Sequence, residues 1–444
     1  MKIRLLLCVA AVICLQQLLS AQSTGERVKE NAKNKTESKV NEKVDKAIDN
    51  IIDGNFLKKK KKAASETSAD AATKIDEKEK VVTNGKTVDQ KEYNDGFTVY
   101  SKFDFIAGEK VLYYDDFAEV AIGDFPTGWN TNSSAEIVRF NELPGKWLSI
   151  TKDGFFEPEM VTNMPENFTL EFDVFNRYRS SNILSYNFII YKSDNARRDI
   201  GDAYVTDASF HFNWAGCSGG ASYAVYQQGE KMGSNDDLSA KNLVCGGDEY
   251  KQPATVKFSI WRQKNRLRIY VNEEKVLDIP QAFNSKVKYN VFKLGASYMN
   301  YSNGRENDDQ FMVANLRYAV GAPDTRSKLI TTGKFTTTGI LFNVNADQIK
   351  AASYGTLKEI ATVLNENPMV KVKIIGHTDS DGNDNANLVL SQKRALAVKE
   401  VLSTTFAIEA DRMQTDGKGA AEPVEPNSTP QGKANNRRVE FIKL

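Results

Sequence analysis

Short runs of alternating apolar and polar residues fill the middle of the chain: FTVYSKFDF, WLSITK, FTLEFDVF, LSYNFIIYK, ASFHFNW, TVKFSIWRQ, LRIYVNEEKVLDI and FMVANLRYAV. A period of two sends alternate side chains to opposite faces of a strand, and clusters of Gly, Asn, Asp and Pro separate the runs. Asn272 to Glu274, between LRIYV and KVLDI, reads as a hairpin turn. Repeated strands with little helical signal predict an all-β, two-sheet sandwich over residues 96–322. In FTLEFDVFN, Leu170, Phe172 and Val174 take one face, which leaves Glu171 and Asp173 as ordinary outward residues.

After Ala322-Pro323-Asp324 the period changes. KFTTTGILFNV reads as a strand, YGTLKEIATVLNENP as a helix ended by Pro368, and MVKVKIIG as a strand with Val370, Val372 and Ile374 on one face. NLVLSQKRALAVKEVL follows as a long helix, then RMQTDGKG and NRRVEFIKL as strands. The order βαβαββ predicts an α/β domain over residues 323–444. Residues 22–95 are dense in charge and nearly free of aromatics, so they bury too little apolar surface to order themselves and read as a disordered linker. Within them, Val40 to Ile51 has helical spacing, and Lys58 to Lys62 reads as a solvated charge run.

Residues 1–21 have the layout of a secretory signal peptide: Lys2 and Arg4, an apolar run from Leu5 to Leu15, and Leu19-Ser20-Ala21 as cleavage site. The protein is therefore expected to be exported, with Cys8 and Cys14 leaving with the signal and no transmembrane segment after its removal. Neither cysteine has the setting of a lipid-modified one. Cys217 and Cys245 remain; a disulfide is favoured over two buried thiols. A net charge of +1 gives no drive toward nucleic acid. Two histidines, His211 and His377, without a Cys/His cluster support neither a zinc site nor a Ser-His-Asp triad, so no metal and no cofactor is expected.

Arg394 is the anomaly. At about 100° per residue, Leu390, Val398, Val401, Leu402 and Ala395 share one arc of the long helix, and Arg394 falls inside it. A guanidinium stays charged, so it needs an anionic partner, a wet cleft, or a stem that packs while the head reaches water. The loop HTDSDGNDNAN, between strand and helix, lies where ligand sites favour strand ends and carries Asp379, Asp381 and Asp384. An EF-hand is excluded: glycine stands fourth instead of sixth, and Leu390 takes the twelfth position, where a glutamate should bind.

The pattern Asn387-x-x-Leu390-Ser391-x-x-Arg394-Ala395-x-x-Val398-x-x-x-Leu402 resembles the signature of the OmpA-like peptidoglycan-binding domain. Gly376-His377-Thr378-Asp379, Gly417-Lys418-Gly419 and Asn436-Arg437-Arg438-Val439-Glu440 fit as well. The resemblance implies that Asp379 and Arg394 hold the ammonium and carboxylate of diaminopimelate in the wall peptide, supported by Thr378 and Asn387; Asn387 could instead cap the helix. YYDDFAEVAIGDFPTGW, KFSIWRQKNRLRIYVNEEKVLDI, FKLGASY and FMVANLRY resemble the concanavalin-like, laminin-G-like jelly-roll group.

These resemblances imply a non-enzymatic envelope protein, outer-membrane-associated or periplasmic, that grips peptidoglycan while its sandwich, set apart from the wall domain, binds a glycan or envelope protein. A wall-tethered glycoside hydrolase is the alternative, but the acid series Glu171-x-Asp173 continues to Phe175 and Asn176 and lacks its acid/base. An outward-facing adhesin is a third reading. Trp129, Trp147, Trp214 and Trp261 serve as core residues or sugar platforms. The acidic pairs Asp115-Asp116, Asp236-Asp237 and Asp308-Asp309 look exposed, and the stretch between Cys217 and Cys245 reads as a long polar loop.

Overall fold

The structure, a computed structural model, describes residues 103–444 except 142, 178–183, 204, 206, 247–252, 300–308 and 322–326, together with a small hairpin of Val82–Thr83 and Lys86–Thr87. The expected signal peptide, nearly all of the linker, Lys58 to Lys62, Asp308 and both domain boundaries (95/96 and 322/323) lie outside the described residues.

Two sheets form the sandwich. One orders Glu230–Ser239, Gly220–Gln227, Ala208–Trp214, Ser185–Tyr191, Val291–Ser297, Gly154–Pro158 and Trp129–Thr131. The other orders Glu274–Ile279, Arg266–Val271, Ala254–Gln263, Asn167–Arg177, Gln310–Val320, Trp147–Ile150 and Ala135–Val138, with Lys110–Asp115 also on Gln310–Val320. Their inner faces meet in an aromatic core that includes Leu170, Phe172, Phe188, Phe212, Trp214 and Phe258. All four tryptophans are buried, so the core assignment holds and none is a sugar platform.

The stretch between the cysteines is a hairpin, not a polar loop. Gly220–Gln227 pairs with Glu230–Ser239 across Gln228 and Gly229, whose φ angles of 53° and 83° suit the tight turn that matches strand twist. Its second strand is almost wholly exposed, which hid its period from a hydrophobicity reading. Cys217 and Cys245 are bonded across its base. Asp115 is no free acid, since it accepts from the Trp129 indole at 3.0 Å and the Phe117 amide at 2.9 Å. Asp309 is buried too.

The C-terminal region comprises β1 (Lys334–Thr337), α1 (Tyr354–Glu366), β2 (Val372–His377), α2 (Asp384–Thr404), β3 (Met413–Gly419), α3 (Pro430–Asn436) and β4 (Val439–Lys443). The sheet order is β1-β4-β2-β3, with only β2 and β3 parallel. Two details differ from the sequence reading. KFTTTGILFNV is a strand only as far as Thr337, and α3 stands between the last two strands. Thr429 caps α3 and Pro430 opens it, signals that the prediction passed over.

Glu171 and Asp173 point away from the sandwich core, yet Glu171 is not solvated: it is 1% exposed. The segment from Phe103 to Gly108 and the C-terminal region cover this outer face. Arg317 donates to Glu171 at 2.6 Å, to the Gly108 carbonyl and to the Thr338 hydroxyl at 2.7 Å. Burial pushes the Glu171 carboxyl up, but Arg317 and Lys257 outweigh it and hold it below its ordinary value. At α1, a Cβ on Gly355 would meet the Phe105 carbonyl oxygen at 2.0 Å. Asn435 of α3 exchanges hydrogen bonds with the Val111 backbone at 3.0 and 2.9 Å. The sandwich and the C-terminal sheet thus belong to one compact unit rather than sitting apart.

Candidate functional site

β2 runs to His377 and delivers Thr378 and Asp379 at its carboxyl end. The helix that follows must lie close to the sheet, and small residues allow it. A Cβ on Gly376 would fall 2.2 Å from the Ser391 carbonyl oxygen, and one on Gly417 2.4 Å from the Gln392 nitrogen. The buried face of α2 is accordingly Asn387, Ser391, Ala395, Val398 and Leu402. Leu390 and Val401 are only half-buried, so the apolar arc predicted around them is displaced. Arg394 stands at the rim of the true face.

The N-cap of α2 is Asn383, whose side chain accepts from the Asn385 and Ala386 amides at 2.9 and 3.3 Å. Asn387 is therefore not the cap. Its amide donates to the carbonyls of Asp379 at 3.3 Å and Asp381 at 3.0 Å and sets the loop's shape. Asp379 is 8% exposed. One of its oxygens accepts from the Asp381 amide at 3.2 Å, the other from Arg437 at 2.5 Å. The Thr378 hydroxyl is buried without a partner among the described residues.

Arg394 is half-buried, and no described carboxylate lies within ion-pair distance of it. Its Nε donates to the Ala346 carbonyl at 3.0 Å, Nη2 lies 3.4 Å from the Asn343 carbonyl, and the guanidinium sits 4.9 Å from the Phe342 ring centre. Burial lowers its pKa from the ordinary value; Asp379 opposes that shift and Arg437 adds to it. Two arginines and one aspartate therefore share a field, with the second arginine already on the carboxylate. Such a set offers a cation and an anion within electrostatic reach of each other, the complement of a zwitterion.

Arg437 was not legible as a site residue, because nothing local tells which arginine of Arg437-Arg438 turns to Asp379. Arg438 instead binds Glu440 at 2.9 Å. Equally illegible were Lys433, 2.8 Å from Asp381, and the carbonyls that hold Arg394, which carry no side-chain signal at all.

His377, 2% exposed, packs beside Arg438 with Glu440 at 3.6 Å. Burial and Arg438 hold its pKa below the ordinary value. The unfolded chain takes up a proton near pH 6.5 that the folded chain resists until about pH 4, so the contribution of His377 to stability falls as pH drops through that window. Urea melts of His377→Phe over that window are expected to show a flatter pH dependence than the wild type; equal slopes would refute it.

Residues 341–437 match the family model described as the OmpA family. The chain is 44% identical over 102 residues to the probable lipoprotein YiaD of Escherichia coli, covering 23% of this chain and 46% of that protein. It is 38% identical over 101 residues to outer membrane porin F of Pseudomonas aeruginosa, covering 23% and 29%. It is 35% identical over 103 residues to the peptidoglycan-binding protein ArfA of Mycobacterium tuberculosis, covering 23% and 31%. The chain thus spans less than half the length of these relatives. Among solved structures, the peptidoglycan-associated lipoprotein of Burkholderia pseudomallei aligns at 28% identity and a TM-score of 0.23, over 24% of this chain and 88% of that one. The strand-end loop, the close-packed helix and the matched sequence coincide: residues 341–437 are an OmpA family domain.

Proposed function

We propose that the protein is a non-enzymatic component of the cell envelope that binds peptidoglycan through the diaminopimelate of its stem peptide. Asp379 accepts from the ligand's ammonium, Arg394 forks onto its carboxylate, the Thr378 hydroxyl adds a hydrogen bond, and Asn387 holds the loop in shape. The carrying observation is Arg394: a half-buried guanidinium held by carbonyls and an aromatic face, with its charge unanswered by any described carboxylate at contact distance. The names of relatives, a peptidoglycan-binding protein among them, support the same reading. No helix among the described residues is long and apolar enough to cross a membrane, and an exported protein at the outer membrane or in the periplasm fits this role.

The sandwich, a concanavalin-like jelly roll in this reading, serves as a partner-binding module for a glycan or envelope protein. The glycosidase alternative finds no support at its first acid, since Glu171 is sealed in an ion pair under the C-terminal region. The test is co-sedimentation of the purified protein with sacculi. Retention on diaminopimelate-type sacculi, competed by free meso-diaminopimelate and far less by lysine, is the expected result. Equal retention on lysine-type sacculi would remove the ligand assignment.

A further inference from the structure

The aspartate loop of the site is held from behind by α3, and α3 is held by the sandwich. Two cations of this segment reach the loop: Lys433 lies 2.8 Å from Asp381, and Arg437 donates to Asp379. On its other side Asn435, 6% exposed, is doubly bonded to the backbone of Val111, and Ala434 packs with Val111, Ala319 and Tyr114. The guanidinium of Arg437 lies 5.5 Å from the centre of the Tyr114 ring. Tyr114 belongs to the sandwich strand Lys110–Asp115, far outside residues 341–437. Its hydroxyl reaches the Asn315 side chain at 3.4 Å, and Asn315 in turn donates to Asp173 at 2.6 Å.

A cation over an aromatic face is attracted by the ring's quadrupole, and the ring restricts where that cation sits. Arg437 is otherwise a long side chain, 38% exposed, with many rotamers open to it. Without the ring it would spend time away from Asp379, and the carboxylate would lose one of the two bonds that fix its direction. A carboxylate that accepts from fixed donors still has lone pairs for a third, so Arg437 orients Asp379 without filling it.

We propose that Tyr114 is a positioning residue of the wall-peptide site: the sandwich, through Tyr114 and Arg437, aims Asp379 at the ligand's ammonium. This rests on the peptidoglycan reading above and assigns the sandwich a part in wall binding, separate from any partner it carries.

The test is a double-mutant cycle on the purified protein, read as the amount of diaminopimelate-type sacculi needed for half retention. Tyr114→Leu should raise that amount about two- to fivefold, the range of a partly exposed cation–aromatic contact. Tyr114→Phe, which keeps the ring face, should leave it unchanged. In an Arg437→Gln background, Tyr114→Leu should add nothing. Should Tyr114→Leu fail to fold by its melting profile, Tyr114→Met takes its place in the cycle. An unchanged Tyr114→Leu protein, or an equal loss with and without Arg437, overturns the inference while Asp379-dependent binding leaves the peptidoglycan reading standing. Absence of wild-type retention would overturn both.

Discussion

Asp379→Ala and Arg394→Ala each release the protein from diaminopimelate-type sacculi. A hydrogen bond to a charged group contributes about 1.5–3 kcal/mol, so each truncation should weaken binding roughly 10- to 150-fold. The two losses have different origins. Asp379→Ala removes the acceptor and also strands Arg437, which then adds repulsion toward the ligand's ammonium. Arg394→Ala removes the fork, and Arg394→Lys should rescue little, because a point charge cannot form two parallel bonds to a carboxylate. Neither substitution should disturb folding much: Arg394 is bonded to two loop carbonyls, and α2 keeps its small-residue face against the sheet. The measurement is co-sedimentation over a range of sacculi concentrations, with melting curves as the folding control. Undiminished retention of both variants would end the assignment.

Glu171→Ala is expected to be the most damaging single change to stability. It leaves Arg317 buried with no acid, and breaking a buried pair from one side costs about 3–5 kcal/mol. Arg317 also bonds Thr338 across to the C-terminal region, so the loss should loosen the contact between the sandwich and that region as well. The double variant Glu171→Leu with Arg317→Met should recover most of the loss, since two apolar groups in place of a buried pair leave no orphaned charge. Urea denaturation of the two variants against the wild type decides it. A single-variant loss below about 1 kcal/mol would refute it, since Glu171 answers Lys257, 3.5 Å away, as well as Arg317.

The sandwich strands, the hairpin at Asn272 and the long helix were legible because their signals are local: a period of two, a period of 3.6, a turn residue with φ of 54°. The Glu230–Ser239 strand was not, because an edge strand exposed on both faces has no apolar period to read. In the site, Asp379, Arg394, Thr378 and Asn387 were named from a motif; Thr378 and Asp379 follow the end of β2, Asn387 bonds the Asp379 carbonyl, and Arg394 rests on the Ala346 carbonyl. Asn387 and Arg394 nevertheless differ from two of the readings above, the helix cap for Asn387 and the apolar arc for Arg394. One shapes the loop instead of capping the helix, and the other rests on carbonyls at the edge of the buried face.

The sequence by itself determined most of the strands and both long helices, that Cys217 and Cys245 could pair, and that a charged residue within the apolar arc of a helix required an explanation. Only the tertiary structure decided what answers each charge. Glu171 meets Arg317 and Asp379 meets Arg437 because packing brings them together, and the lock between Asn435 and Val111 joins positions 324 residues apart. Periodicity reports which way a side chain points from its own backbone; the group it meets belongs to a distant segment whose approach is set by the summed packing of both sheets.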